Sequence, residues 1–177
     1  MTAIQSYRCA LSLLLAGLVS TCVADTVNFD GTLIEDTCEI YPGDEAVELD
    51  FSTLLDKYLY LNTRTHSEPF TIRLINCDLA IGREVKVTFS GTASGALPGY
   101  LALGSSSTAK GVAIGLEDGA GELLAINSSK YIQQLRQGNN NTLTLKAFVQ
   151  GEPLALQNKS IQRGAFTATA TFTLEYE

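Results

Sequence analysis

The chain has 177 residues, 45% apolar and 18% charged, with 12 Lys plus Arg against 19 Asp plus Glu for a formal charge of −7. This length and apolar content suit one ordinary domain and exclude intrinsic disorder, and the acidic balance repels phosphate backbones, which excludes nucleic-acid binding as a function. A single histidine and no tryptophan exclude a His-rich metal site and any His–His relay.

Residues 1–24 read as a secretory signal. Arg8 supplies a short positive start, and the apolar run from Cys9 to Ser20 has signal-core length, too short to span a bilayer comfortably. Cys22 and Ala24 are the small residues at minus three and minus one, which places the cut after Ala24. An acylated Cys22 fits less well, because Val19 and Thr21 stand where a lipoprotein signal wants Leu and a small residue. Removal of this segment takes away Arg8 and no other charged residue, so −7 becomes −8. Four cysteines become two, Cys38 and Cys77. Two cysteines in an exported chain are expected to pair, the alternatives being two free thiols or half a metal site. The expected compartment is oxidising: the periplasm or the cell exterior.

The segment from Asp25 to Ile34 is extended and alternating, with Val27, Phe29, Gly31 and Leu33 on one face. It reads either as the first strand of its own sandwich or as a strand donated to a neighbour. Alternation then recurs along the chain. Val47, Leu49 and Phe51 share a face, as do Phe70, Ile72 and Leu74 before Cys77. Val85, Val87 and Phe89 follow, then Val112, Ile114 and Leu116, then Leu143, Leu145 and Ala147. Turn-formers separate them: Pro42-Gly43-Asp44, residues 91–99, Asp118-Gly119-Ala120-Gly121 and Gly138-Asn139-Asn140-Asn141. This spacing predicts an all-β sandwich. Leu54 to Leu61 and Tyr131 to Arg136 are the two places where a helix of one or two turns competes with strand.

The last run sets Phe166, Ala168, Ala170, Phe172, Leu174 and Tyr176 against Thr167, Thr169, Thr171 and Thr173. No charge or proline interrupts Ala165 to Leu174, and no later segment of the chain is expected to pair with its open edge. A long apolar edge strand invites association unless it is covered, so a segment of this chain or of a partner is expected to cover it.

The remaining features read blandly. The glycines at 95, 99, 104, 119 and 121 match neither dinucleotide nor P-loop spacing and suit turns. The early acids Asp30, Glu35, Asp36, Glu39, Asp44, Glu45 and Glu48 lack EF-hand spacing and read as a solvated acidic surface. His66 is expected in a loop, with no triad context around it. Tyr58, Tyr60, Tyr100 and Tyr131 are expected to pack rather than to form a sugar-stacking patch. The sequons at Asn127, Asn140 and Asn158 are matches of chance frequency.

Taken in order, several of these segments resemble a structural pilin of the chaperone–usher, type 1-like fimbrial kind. The resemblance rests on Thr26 to Ile34 before Cys38, Phe70 to Cys77, Gly111 to Asp118 and Asn141 to Phe148, together with Gly164 fourteenth from the end and Tyr176 penultimate. It implies an incomplete immunoglobulin-like β-sandwich lacking its last strand, completed in trans by donor-strand complementation. It divides the chain into a signal peptide (1–24), a donor-strand extension (25–34) and a pilin domain (35–177). It makes Val27, Phe29, Gly31 and Leu33 the donor residues. It makes Gly164, Phe166, Ala168, Ala170, Phe172, Leu174 and Tyr176 the chaperone- and donor-binding edge, and Cys38–Cys77 the disulfide. The implied partners are a periplasmic chaperone, an outer-membrane usher and neighbouring pilin subunits, with export through the periplasm to a cell-surface fimbrium. No enzyme activity, cofactor, metal, nucleic acid or membrane embedding is implied. The competing reading is a free-standing secreted β-sandwich that binds carbohydrate or protein.

Overall fold

The computed structural model describes residues 36–128 and 130–177. The expected signal and the Val27, Phe29, Gly31, Leu33 strand lie outside the described residues.

In chain order the elements are β1 (Glu39–Ile40), α1 (Asp56–Asn62), β2 (Glu68–Ile75), β3 (Glu84–Gly91), β4 (Val112–Asp118), β5 (Lys130–Gln134), β6 (Asn141–Gly151), α2 (Pro153–Gln157) and β7 (Ala170–Tyr176). One sheet has the order β1-β2-β6-β4 and the other β5-β3-β7. Every pairing is antiparallel. Between the sheets the alternating residues meet: Ile72 and Leu74 of β2, Leu143 and Leu145 of β6, and Val85, Val87 and Phe89 of β3 are all buried. The predicted all-β sandwich is present, because period-two apolar faces on two sheets can be buried only against each other.

Most of the predicted strands form where the alternation placed them. The residues Val47, Leu49 and Phe51 differ. They alternate in sequence but join no ladder, since no strand of the described residues lies beside them to complete the hydrogen bonds. The stretch Leu54 to Leu61 becomes helical from Asp56 as α1, and in the stretch Tyr131 to Arg136 the residues up to Gln134 form strand β5 rather than helix. There, register with β3 (Val87 opposite Tyr131, Val85 opposite Gln133) decides a segment whose own pattern is indifferent. Helix α2 was not predicted; Pro153 opens it after an extended Glu152.

β4 departs from simple alternation, with six successive residues buried. Its inward face carries Val112, Ile114 and Leu116. The other face is covered by Phe148, which lies so close to Gly115 that a Cβ there would stand 2.7 Å from Cε1 of the ring. Arg64 stacks over the same ring, 3.5 Å from its centroid, and donates to Glu117 at 3.1 Å. Ser67 Oγ donates to the other Glu117 oxygen. The buried carboxylate is thereby charge-paired and hydrogen-bonded, the condition under which a core tolerates one.

Cys38 and Cys77 are joined in a disulfide that ties the segment before β1 to the end of β2. Beyond it, the Arg73 guanidinium forks onto Asp44 (2.7 and 2.8 Å) while the Arg73 N–H donates to the same carboxylate at 2.8 Å. These bonds hold the Asp44 pKa down to about 2. The folded carboxyl is therefore more acidic than the unfolded one. Its contribution is complete above the ordinary carboxylate range and is lost as pH falls from about 4 towards 2. An acid titration of stability is expected to show this loss in the natural chain and to lack that component in Asp44→Asn. Superimposable profiles of the two proteins would contradict it.

Candidate functional site

The exposed edge of β7 is the feature most in need of a partner. Glu84 and Glu177 exchange both backbone hydrogen bonds, at 2.9 and 3.0 Å. Antiparallel ladders alternate between bonded and non-bonded pairs. From that anchor the register assigns the β3-facing backbone groups to Glu175, Thr173 and Thr171. Upstream of the strand, the same side of the chain is held by the 104–109 segment. Gly104 N donates to the Thr167 carbonyl at 2.7 Å and Thr108 N to the Ala165 carbonyl at 2.8 Å. Ser107 Oγ accepts from Thr167 N at 3.0 Å.

The backbone groups of Phe166, Ala168, Ala170, Phe172, Leu174 and Tyr176 consequently point the other way. Among the described residues, none of their N–H or C=O groups has a backbone partner. The six side chains point inward towards the core, yet each is only partly buried. Their neighbours in β3 show the contrast: Val85 and Val87 are essentially inaccessible. The last strand thus carries both an unsatisfied edge and an unfinished apolar face.

Opposite it runs a second wall that includes Asp36, Cys38, Glu39, Ile40 and Glu45, with Phe51 further along. Ile40, Leu49, Phe51 and Leu54 are partly buried apolar residues packed against the core. At one end the walls meet where Tyr176 Oη donates to the Cys38 carbonyl at 3.4 Å. Burial, with the Asp36 charge as a lesser cause, pushes this phenol up to about 12. Towards the other end the Phe51 and Phe166 rings approach to 6.3 Å between centroids. Between these contacts lies a cavity of about 530 Å³, with Cys38 and Ile40 on one side and Phe172, Leu174 and Tyr176 on the other. A groove with apolar walls and an unpaired strand edge accepts one thing well, an added β-strand with alternating apolar side chains.

The structure brings the predicted edge residues together along this groove, from Phe166 to Tyr176. Gly164 lies just upstream, where the 104–109 segment crosses. A Cβ at 164 would sit 2.9 Å from both Ala109 N and the Thr108 carbonyl carbon, backbone atoms that have little room to yield. The wall from Ile40 to Phe51 was missed as a wall. Its signal was present in the Leu49/Phe51 alternation, which reads from sequence as an ordinary strand.

The other candidates do not converge. Tyr58 Oη bonds His66 Nε2 at 2.8 Å, Tyr60 Oη accepts from Ile161 N, Tyr100 packs edge-on against Phe148, and Tyr131 Oη reaches Gln133. No group of three or more His, Cys, Asp or Glu able to hold a metal occurs among the described residues. No helix among them is long and apolar enough to cross a membrane.

The family model described as Fimbrial protein matches residues 27–177. The chain is 34% identical to the uncharacterized fimbrial-like protein YfcP of Escherichia coli strain K12, over 92% of this chain and 93% of that one. It is also 34% identical to the fimbrial adapter PapK of Escherichia coli, over 94% and 96% of the two chains. Among solved structures, the P pilus rod subunit PapA superposes with a TM-score of 0.69 at 24% identity, covering 80% of this chain and 100% of that one. The last match speaks for the fold.

Proposed function

We propose that this chain, which belongs to the fimbrial protein family and is a structural subunit of a pilus, assembles by taking a neighbour's N-terminal strand into the groove beside β7. The observation that carries the reading is the row of six inward residues, Phe166 to Tyr176, whose backbone groups face away from β3 and from the 104–109 segment, with no backbone partner among the described residues.

On this reading residues 25–34 are the donor extension and residues 35–177 the acceptor domain. Val27, Phe29 and Leu33 fill the next subunit's groove, and Gly31 passes where a side chain has no room. The contact is head-to-tail and does not close on itself, so it propagates a filament. Before assembly the same edge needs a temporary cover, the role of a periplasmic chaperone. An outer-membrane usher is then the place where the chaperone strand is exchanged for the donor. The apolar run of residues 1–24 supplies entry to the periplasm, and the assembled subunit reaches the cell surface.

Amide hydrogen exchange tests the groove directly. In the unassembled subunit the amides of Phe172, Leu174 and Tyr176 are expected to exchange fast, while those of Thr171, Thr173 and Glu175 are protected by β3. In the fibre both sets are expected to be protected. Protection of Phe172, Leu174 and Tyr176 in the isolated subunit would mean that its own chain already covers the edge, and the reading fails.

A further inference from the structure

The groove has a charge as well as a shape. Glu39 and Glu45 stand with Asp36 along one wall of the 530 Å³ cavity. Glu39 and Glu45 are exposed, and neither forms an ion pair among the described residues. On the other wall Glu175 and Glu177 are paired with Lys130 and Lys86, and Asp44 is paired with Arg73, so the net negative charge of the rim rests on Asp36, Glu39 and Glu45. Arg83 lies beside the last ladder pair, its N–H on the Glu177 carbonyl.

The sequence extends the same sign into the donor. From Cys9 to Asp56 there is no Lys or Arg, while Asp25, Asp30 and Glu35 fall in or beside the proposed donor strand. Donation from one copy to another therefore lays an acidic strand against an acidic wall. Like charges set opposite one another in a ladder oppose pairing, and like-signed patches slow the encounter itself.

Resting on the groove reading above, we propose that the strand this groove takes comes from a different subunit, one whose extension carries Lys or Arg, and not from a second copy of this chain. The acidic rim then selects the neighbour and fixes this subunit at a heterotypic joint in the fibre. The alternating apolar residues supply the grip, and the charges in and beside the donor strand supply the choice.

The test uses the mature chain, residues 25–177, and two labelled peptides followed by fluorescence anisotropy. One peptide has the chain's own sequence from Asp25 to Asp36. The other differs by Asp30→Lys and Glu35→Lys. The lysine peptide is expected to bind about tenfold more tightly at low salt, with the gap closing near about 0.5 M salt. The gap is also expected to shrink when the acceptor carries Glu39→Gln with Glu45→Gln, two exposed positions whose replacement leaves the core untouched. Equal binding of the two peptides, tighter binding of the natural one, or a gap unmoved by the glutamine pair overturns the selection while leaving the groove intact. Failure of both peptides to bind at any salt overturns the groove itself, and this inference with it.

Discussion

A subunit carrying Phe29→Ala is expected to fold and to be exported, yet to enter fibres poorly. The proposal puts this ring in a neighbour's groove. Its loss removes contacts from the joint rather than from the domain that bears it. Burying a Phe side chain is worth about 1.5–3 kcal/mol, so the joint weakens roughly 10- to 150-fold. Quantifying the variant in purified fibres, against its level in the periplasm, separates assembly from folding. Gly31→Leu gives a complementary reading, since an added side chain there clashes only if the segment lies in a groove. Normal incorporation of the Phe29 variant would remove the donor assignment.

The second large effect concerns the disulfide. The Cys38–Cys77 bridge closes a separation of 39 residues, worth about 4 kcal/mol in the chain-entropy account. A Cys38→Ala, Cys77→Ala double variant is expected to lose roughly 10 °C in Tm, given the few degrees per kcal/mol typical of this size. It is also expected to bind a donor strand less well. Cys38 lines the cavity, and its carbonyl receives the Tyr176 hydroxyl. Loosening the bridge therefore loosens the wall opposite β7. Equal Tm values for the two proteins under non-reducing conditions would show that the bridge does not constrain the chain.

Most of this architecture was legible in the sequence because it depends on period two. Val85, Val87 and Phe89, or Leu143 and Leu145, announce a buried face whatever lies opposite. β7 was legible for a second reason: threonines alternate with apolar residues and no charge intervenes up to Leu174. The wall from Ile40 to Phe51 was not legible, because its role is defined by what it faces across the groove. Leu49 and Phe51 alternate like any strand, and only the approach of Phe51 to Phe166 shows that this segment borders a groove. The clamp of residues 104–109 on Ala165 and Thr167 was invisible for a related reason. Its Gly, Ser and Thr residues act through backbone groups about sixty positions away, and composition carries no trace of that pairing. β5 lacked a pattern of its own and became a strand through its register with β3.

The buried Glu117 also escaped sequence reading. An acid one residue beyond the alternating Val112, Ile114 and Leu116 looks like a solvent-facing position. It is enclosed because Arg64 and Ser67 reach it from the loop between α1 and β2. The partner's identity, and not the acid's spacing, decides its environment.

The most direct test of the central claim is the thermal unfolding of residues 35–177, alone and with a peptide of residues 25–37. If β7 borders an open groove, the peptide completes the unfinished face and pairs the six outward backbone positions. Unfolding then shifts upward strongly, and Phe29→Ala in the peptide abolishes much of the shift. A truncated chain that unfolds at the same temperature with and without peptide would contradict the account and favour a self-complete sandwich.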